Sequence, residues 1–218
     1  MAKTSAPLLG FGATGTIADT LVYAQWRGVP YARRYVIPGN PNTTAQQETR
    51  NIFRMLSQMW KQLPAGAIAP WNAFATGRSF LGVNAFTGQN LRLLRKPTTA
   101  TNMSLFLGSP GARGGPAPTG IAVTPGSTQL TVGVTVPTPP AGWAVTGVRG
   151  IAFLDQNPQD NFVGPVIYAT DDTDPYSLVF TGLTASALYV VSAWIEYARP
   201  DGLVAYSLAL GGTGTPTV

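Results

Sequence analysis

The 218 residues include no cysteine and no histidine. Without cysteine there is no disulfide and no thiolate chemistry, and the redox compartment cannot be read. Without histidine the commonest general base and the commonest transition-metal ligand are missing together. Charge is sparse: 11% of residues are charged, against roughly 25% in ordinary soluble domains. No apolar run approaches the roughly eighteen residues of a membrane span, so no membrane association is expected. The opening Met1-Ala2-Lys3-Thr4-Ser5 lacks the charged start and long apolar stretch of a secretion signal. The expectation is a cytoplasmic product until it joins an assembly. Enzymatic function ranks last among the classes considered, and no cofactor or metal is expected.

What the chain does contain is 25 glycines, 19 prolines and a 44% hydrophobic share. Apolar residues occur throughout, which argues for packed structure rather than disorder. Few charges with much Gly and Pro suggest surfaces that partners cover. The net charge of +5 hides a split. Residues 1–100 carry eleven Lys/Arg against Asp19 and Glu48, giving +9. Residues 101–218 carry three Arg against seven acids, giving −4. Two parts of opposite sign are expected to meet different surroundings.

Punctuation and periodicity divide the chain into four expected parts. Residues 1–16 read as a flexible Gly-rich arm, 17–96 as a basic α+β domain, 97–117 as a linker and 118–218 as a β-sandwich. Residues 20–26 and 31–37 alternate and are rich in strand formers, and the turn residues 27–30 make them a β-hairpin. A helix is expected from Thr43 or Thr44, with Gln46 or Gln47 completing a capping box. Ile52, Leu56, Met59 or Trp60, and Leu63 recur at helical spacing with Phe53 beside them, and Pro64 ends the run. Pro70 suits the first turn of a second helix bearing Trp71, Phe74 and Ala75. Residues 82–94 read as a third, with Val83, Phe86, Leu93 and Leu94 inward. Residues 103–107, an apolar island inside the expected linker, read as a strand or an anchor. Seven short alternating segments follow: 120–123, 129–136, 147–154, 163–169, 177–181, 187–197 and 204–210. Seven strands in about 100 residues is the count of an immunoglobulin-like sandwich.

Three motifs invite chemistry. Gly10-Phe11-Gly12-Ala13-Thr14-Gly15 has the literal form of a dinucleotide fingerprint, but such a site needs a buried strand before it and a helix after it. Pro7 weakens the first, and 16–23 looks extended, so a backbone arm that fits against another subunit is expected instead. Asp171-Asp172-Thr173-Asp174 offers oxygen ligands for calcium, yet no Glu follows, and a solvated loop is expected. Arg27, Arg33 and Arg34 interleave with Trp26, Tyr31 and Tyr35. Basic–aromatic mixing serves nucleic acid, and it equally describes a protein interface, where Arg, Trp and Tyr are favoured anchors. No recognised nucleic-acid motif accompanies it, and these six residues are taken as a partner interface.

Two resemblances follow from these residues. Pro118-Thr119-Gly120-Ile121-Ala122-Val123 resembles the opening of fibronectin type III domains, and 180–194 resembles their E-strand, corner and F-strand. That resemblance implies that Tyr189 hydrogen-bonds back across the corner, and that 118–218 folds alone as a soluble β-protein. Trp143, after the Pro-rich stretch 137–140, departs from the pattern. The run 26–33, Pro38-Gly39-Asn40-Pro41-Asn42-Thr43, Gln46-Gln47, Arg50, Phe53, Trp60, Trp71 and 82–86 resembles a family of phage and prophage proteins that carry small β-sandwich domains. It implies a virion structural role.

The combined expectation is an α+β N-terminal domain (β-hairpin plus short helices) followed by an all-β immunoglobulin/fibronectin-III-like sandwich. The expected function is a head-decoration (cement) protein docking on the major capsid protein in many copies, or as a homo-oligomer. A neck or tail component is the alternative, and a nucleic-acid-binding virion protein the third.

Overall fold

The computed structural model describes residues 3–4, 13–26, 29–37, 39–40, 42–95 and 103–218. It is mostly β-sheet with three helices. The chain divides into two compact units, 1–43 and 44–218.

The first unit is a four-stranded antiparallel sheet in the order β1-β2-β3-β4, from β1 (Lys3–Thr4), β2 (Ala13–Ile17), β3 (Leu21–Trp26) and β4 (Val29–Arg34). The expected hairpin is β3–β4, closed tighter than its sequence suggested, with Trp26 opposite Val29. The expected arm is corrected at both described places. Ala13–Ile17 is a strand with Gly15 opposite Tyr23, and Lys3 lies opposite Thr14. Residues 1–2 and 5–12, the rest of that arm, lie outside the described residues.

The second unit joins the helices to the sandwich. Helix α1 (Thr44–Gln62) buries Ile52, Met55, Leu56 and Met59. Phe53, expected beside that stripe, is 54% exposed. Helix α2 spans Ala65–Ala75, with Pro64 in the N-cap position and Pro70 inside it. It therefore starts five residues earlier than Pro70 indicated. Pro70 is the sixth residue of α2, past the first turn, so it removes the one intrahelical bond that an N–H at this position would give to the Gly66 carbonyl. Helix α3 (Gly82–Arg95) buries Phe86 and Leu94, with Val83 and Leu93 half-buried.

The sandwich strands are β6 (Gly120–Gly126), β7 (Gln129–Thr135), β8 (Ala144–Leu154), β9 (Ile167–Asp171), β10 (Ser177–Thr181), β11 (Tyr189–Ala198), β12 (Val204–Leu208) and β13 (Leu210–Gly214). One sheet has the order β10-β7-β6. The other runs β5-β12-β11-β8-β9, where β5 is Pro110–Ala112, and β13 also pairs β11. The last expected segment is split at Ala209 into β12 and β13, and the expected strand 163–169 begins only at Ile167.

Two apolar clusters lie on either side of the larger sheet. Strand alternation sends Tyr189, Val191, Ala193, Ile195 and Tyr197 toward Leu130, Val132, Leu178 and Phe180 of the smaller sheet. It sends Val190 and Trp194, with Ile151 and Phe153 of β8, toward Leu56, Met59, Trp71 and Phe86 of the helices. The larger sheet is thus buried on both faces, and the second unit has three layers. The helices share this core with the sandwich, within a compact unit that begins at residue 44, which corrects the expected 17–96 domain.

The expected linker 97–117 is corrected as well over its described part. Met103 is 0% exposed, Phe106 3% and Ala112 4%. Pro110–Ala112 pairs with β12, Ala112 opposite Tyr206. The segment is bracketed on both sides. From α3, the Asn90 amide donates to the Leu107 carbonyl at 3.1 Å and accepts from the Leu107 N–H at 2.8 Å. From α2, Trp71 Nε1 donates to the Gly108 carbonyl at 2.9 Å. The Gly108 N–H in turn donates to Ser192 Oγ of β11 at 3.0 Å. A Cβ on Gly108 would stand 2.7 Å from that Oγ, so glycine here serves close approach rather than mobility.

The Thr184 N–H donates to the Tyr189 phenol at 3.0 Å, the bond expected across the corner. Tyr189→Phe leaves that N–H without its partner and is expected to lower stability by about 1–2 kcal/mol, read from urea unfolding. Two other phenols give an alkaline prediction. Burial pushes Tyr168 and Tyr197 up to about 12 from 10.0. The unfolded chain then ionises first. Stability is full below about pH 10 and falls as pH rises toward about 12, which urea midpoints across that range will measure.

Candidate functional site

In the first unit no residue whose side chain is described, 15–24, 31–37, 39–40 and 42–43, is buried. Leu21 is 41% exposed, Tyr31 42%, Val36 67% and Ile37 77%. A small sheet without a covered apolar face is marginal in water. Among the described residues strand β4 pairs only with β3, so its outer edge offers a row of backbone donors and acceptors.

The six expected interface residues fall on this sheet as follows. Tyr31 pairs with Ala24 and Arg33 with Val22, while Arg34 pairs with Leu21. Alternation puts Tyr31 and Arg33 on one face and Arg34 on the other. Tyr31, Arg33 and Arg34 are exposed, and Tyr35 is half-buried with its N–H donating to the Thr20 carbonyl at 2.7 Å. Trp26 ends β3; its side chain, and Arg27 altogether, lie outside the described residues. So do Gly10 and Gly12 of the glycine motif, whose last three residues belong to β2.

In the second unit the charge split becomes a split between layers. Arg50, Arg54, Lys61, Arg78, Arg92 and Arg95 are all exposed on the helical layer, where Glu48 is the one acid of 44–95. The sandwich carries exposed Asp160, Asp172, Asp174 and Asp201.

The basic layer contains a cleft of about 370 Å³ between the C-terminal end of α2, the turn that follows it and one face of α3, lined by Phe74, Arg78, Phe80, Asn84, Gln89 and Arg92 among others. The Arg78 guanidinium lies 4.0 Å from the Phe74 ring centroid and 5.8 Å from that of Phe80. A neighbouring hollow of about 230 Å³ shares Phe74 and Arg78 and reaches Gly111, Ala112 and Arg113 at β5. Sequence reasoning counted these arginines without grouping them. The available signal was Asn84, Gly88 and Arg92 at four-residue spacing, one face of a helix.

The Asp171–Asp174 loop is ordered by its own backbone. The Asp171 carboxylate accepts from the Ser177 N–H at 2.6 Å and the Thr173 N–H at 3.1 Å. The bond from Ser177, followed by that from Thr173, lowers the Asp171 pKa below the usual range. Asp172 pairs with Arg149, whose other side meets Glu196 at 3.4 Å. Among the described residues no three acidic side chains lie together as a metal cage. No helix among them is long and apolar enough to cross a membrane.

No family model matches the chain, and no curated protein does. Among solved structures, one described as a myokine is similar at 15% identity over 48% of this chain and 100% of its own, with a TM-score of 0.36. The fn3 domain of human collagen alpha-1(XX) chain is similar at 21% identity over 50% of this chain and 91% of its own, with a TM-score of 0.35.

Proposed function

We propose that this chain is a structural protein of a bacteriophage particle, and specifically a head-decoration protein that docks on the capsid through its basic N-terminal part. The observation that carries the reading is the first unit's sheet, in which no described side chain is buried. Such a sheet gains its missing apolar contact by docking, and its open β4 edge suits strand addition to a neighbour. The basic helical layer favours an acidic surface. The sandwich is proposed to be of fibronectin III type. In support stand the strand orders β10-β7-β6 and β9-β8-β11-β12, and the phenol of Tyr189 at the corner.

Imaging of intact particles tests the position. About hundreds of copies over the head shell are expected, whereas a single ring at one vertex or along the tail refutes decoration in favour of a neck or tail role. The faces of β4 give a finer expectation. Arg33, beside Tyr31, is proposed to meet the partner. Arg33→Ala is expected to reduce incorporation into particles and Arg34→Ala to leave it near normal. Both side chains are exposed, so both variants should melt within about 0.5 kcal/mol of the parent. Salt-sensitive DNA binding lost in both variants would replace the protein-interface reading with a nucleic-acid one.

A further inference from the structure

Arg78 and Arg92 share one cleft, and no ion pair with a carboxylate is formed by either among the described residues. The guanidinium carbon of Arg78 lies over the Phe74 ring, 4.0 Å from its centroid. A guanidinium seated on a ring is pre-positioned, keeps N–H donors for a planar acceptor and loses less freedom on binding one. Asn84 and Gln89 add neutral donors to the same wall. The chemistry that fits is a carboxylate-bearing loop, taken in bidentate fashion.

The second unit itself carries such a loop. Asp174 is exposed without an ion pair among the described residues, Asp172 is exposed while its carboxylate also holds Arg149, and Asp171 fixes the backbone between them. The two features cannot meet within one molecule. Through Phe74 and Arg78 the cleft joins the hollow that reaches β5, whereas the acidic loop follows β9, and these strands are the opposite ends of the sheet path β5-β12-β11-β8-β9. Four strand spacings of about 4.8 Å separate the edges by roughly 20 Å. A cleft at one edge and its complement at the other define a head-to-tail contact, which repeats rather than closing on itself as a two-fold dimer does. We propose that the Arg78–Arg92 cleft receives the 171–174 loop of a second copy of this chain, so that copies associate edge to edge. The inference stands apart from the virion reading, since it concerns the purified protein alone.

Sedimentation velocity of the full chain tests it. The wild type is expected to show a concentration-dependent series of oligomers at about 0.1 M salt that dissociates toward monomer at about 0.5 M, as screening of surface charge requires. The R78A/R92A and D172N/D174N variants, checked for unchanged melting, should each associate at least about tenfold more weakly, because each leaves a charged surface unpaired. Their equimolar mixture is the decisive sample. One variant keeps an intact loop and the other an intact cleft, so one-to-one dimers should form and nothing larger. A wild type that stays monomeric at low salt overturns the proposal. So does association that ignores both pairs of substitutions, or a mixture that yields no dimer. Those results leave the position in the particle to be decided by imaging.

Discussion

A fragment of residues 118–218 is expected to aggregate or unfold, whereas 44–218 is expected to fold as the full chain does. The shorter fragment contains every strand from β6 onward but uncovers the helix-facing side of the larger sheet. Ile151, Phe153, Val190 and Trp194 would pass from 1% exposure or less to solvent. Each such side chain contributes roughly 1.5–3 kcal/mol when buried, and their sum rivals the roughly 5–15 kcal/mol that holds a domain together. The same fragment loses β5, leaving the β12 edge unpaired. Expression of both fragments with thermal melting and light scattering decides the matter. A monomeric 118–218 with a cooperative transition near that of 44–218 would show that the helical layer is dispensable.

Trp71→Ala is expected to be the most damaging single substitution in the helical layer, at about 3–5 kcal/mol. The indole is fully buried and meets Phe86 edge-on at 5.3 Å. Its N–H also closes the chain of contacts that runs from α2 through the Gly108 peptide to Ser192. Trp71→Phe separates the two contributions. It keeps most of the apolar body and strands the Gly108 carbonyl, so about 1–3 kcal/mol should be lost. Chemical unfolding of 44–218 carrying each variant measures both, and equal losses would assign the whole effect to the indole N–H.

Most strands of the sandwich were legible because they are bounded by Pro, Gly, Asn or Asp. Ser177–Thr181 agrees with its expected limits at both ends, and the Tyr189 corner was readable from the resemblance of 180–194. What the local pattern did not reveal was which layers meet. Strand β7 alternates cleanly between buried and half-buried positions, but β11 is buried at every position from Tyr189 to Ile195. That unbroken run, in the sequence as Tyr189-Val190-Val191-Ser192-Ala193-Trp194-Ile195, is the mark of a strand covered on both faces; it says that a second layer exists, but not which segment supplies it. The linker reading failed because Gly and Pro mark turns without saying whether the turn is covered. Gly108 and Ser109 are buried against β11 and β12. The six interface residues were chosen from one hairpin. The Arg78 cleft escaped because it is assembled from the end of one helix, the turn after it and the face of the next.

The order of the layers along the chain carries a consequence in time. The helices precede the sandwich, yet the surface they cover is completed only by Trp194 on β11. When α3 ends at Arg95, about a hundred residues remain before that surface exists, which at about 5–20 residues per second is roughly 5–20 s of synthesis. For that interval Leu56, Met59, Trp71 and Phe86 have no sheet to rest on. The nascent helices therefore pass through a stage in which they are natural clients of a ribosome-bound chaperone, and slowing translation within 96–194 lengthens that stage without altering a single native contact.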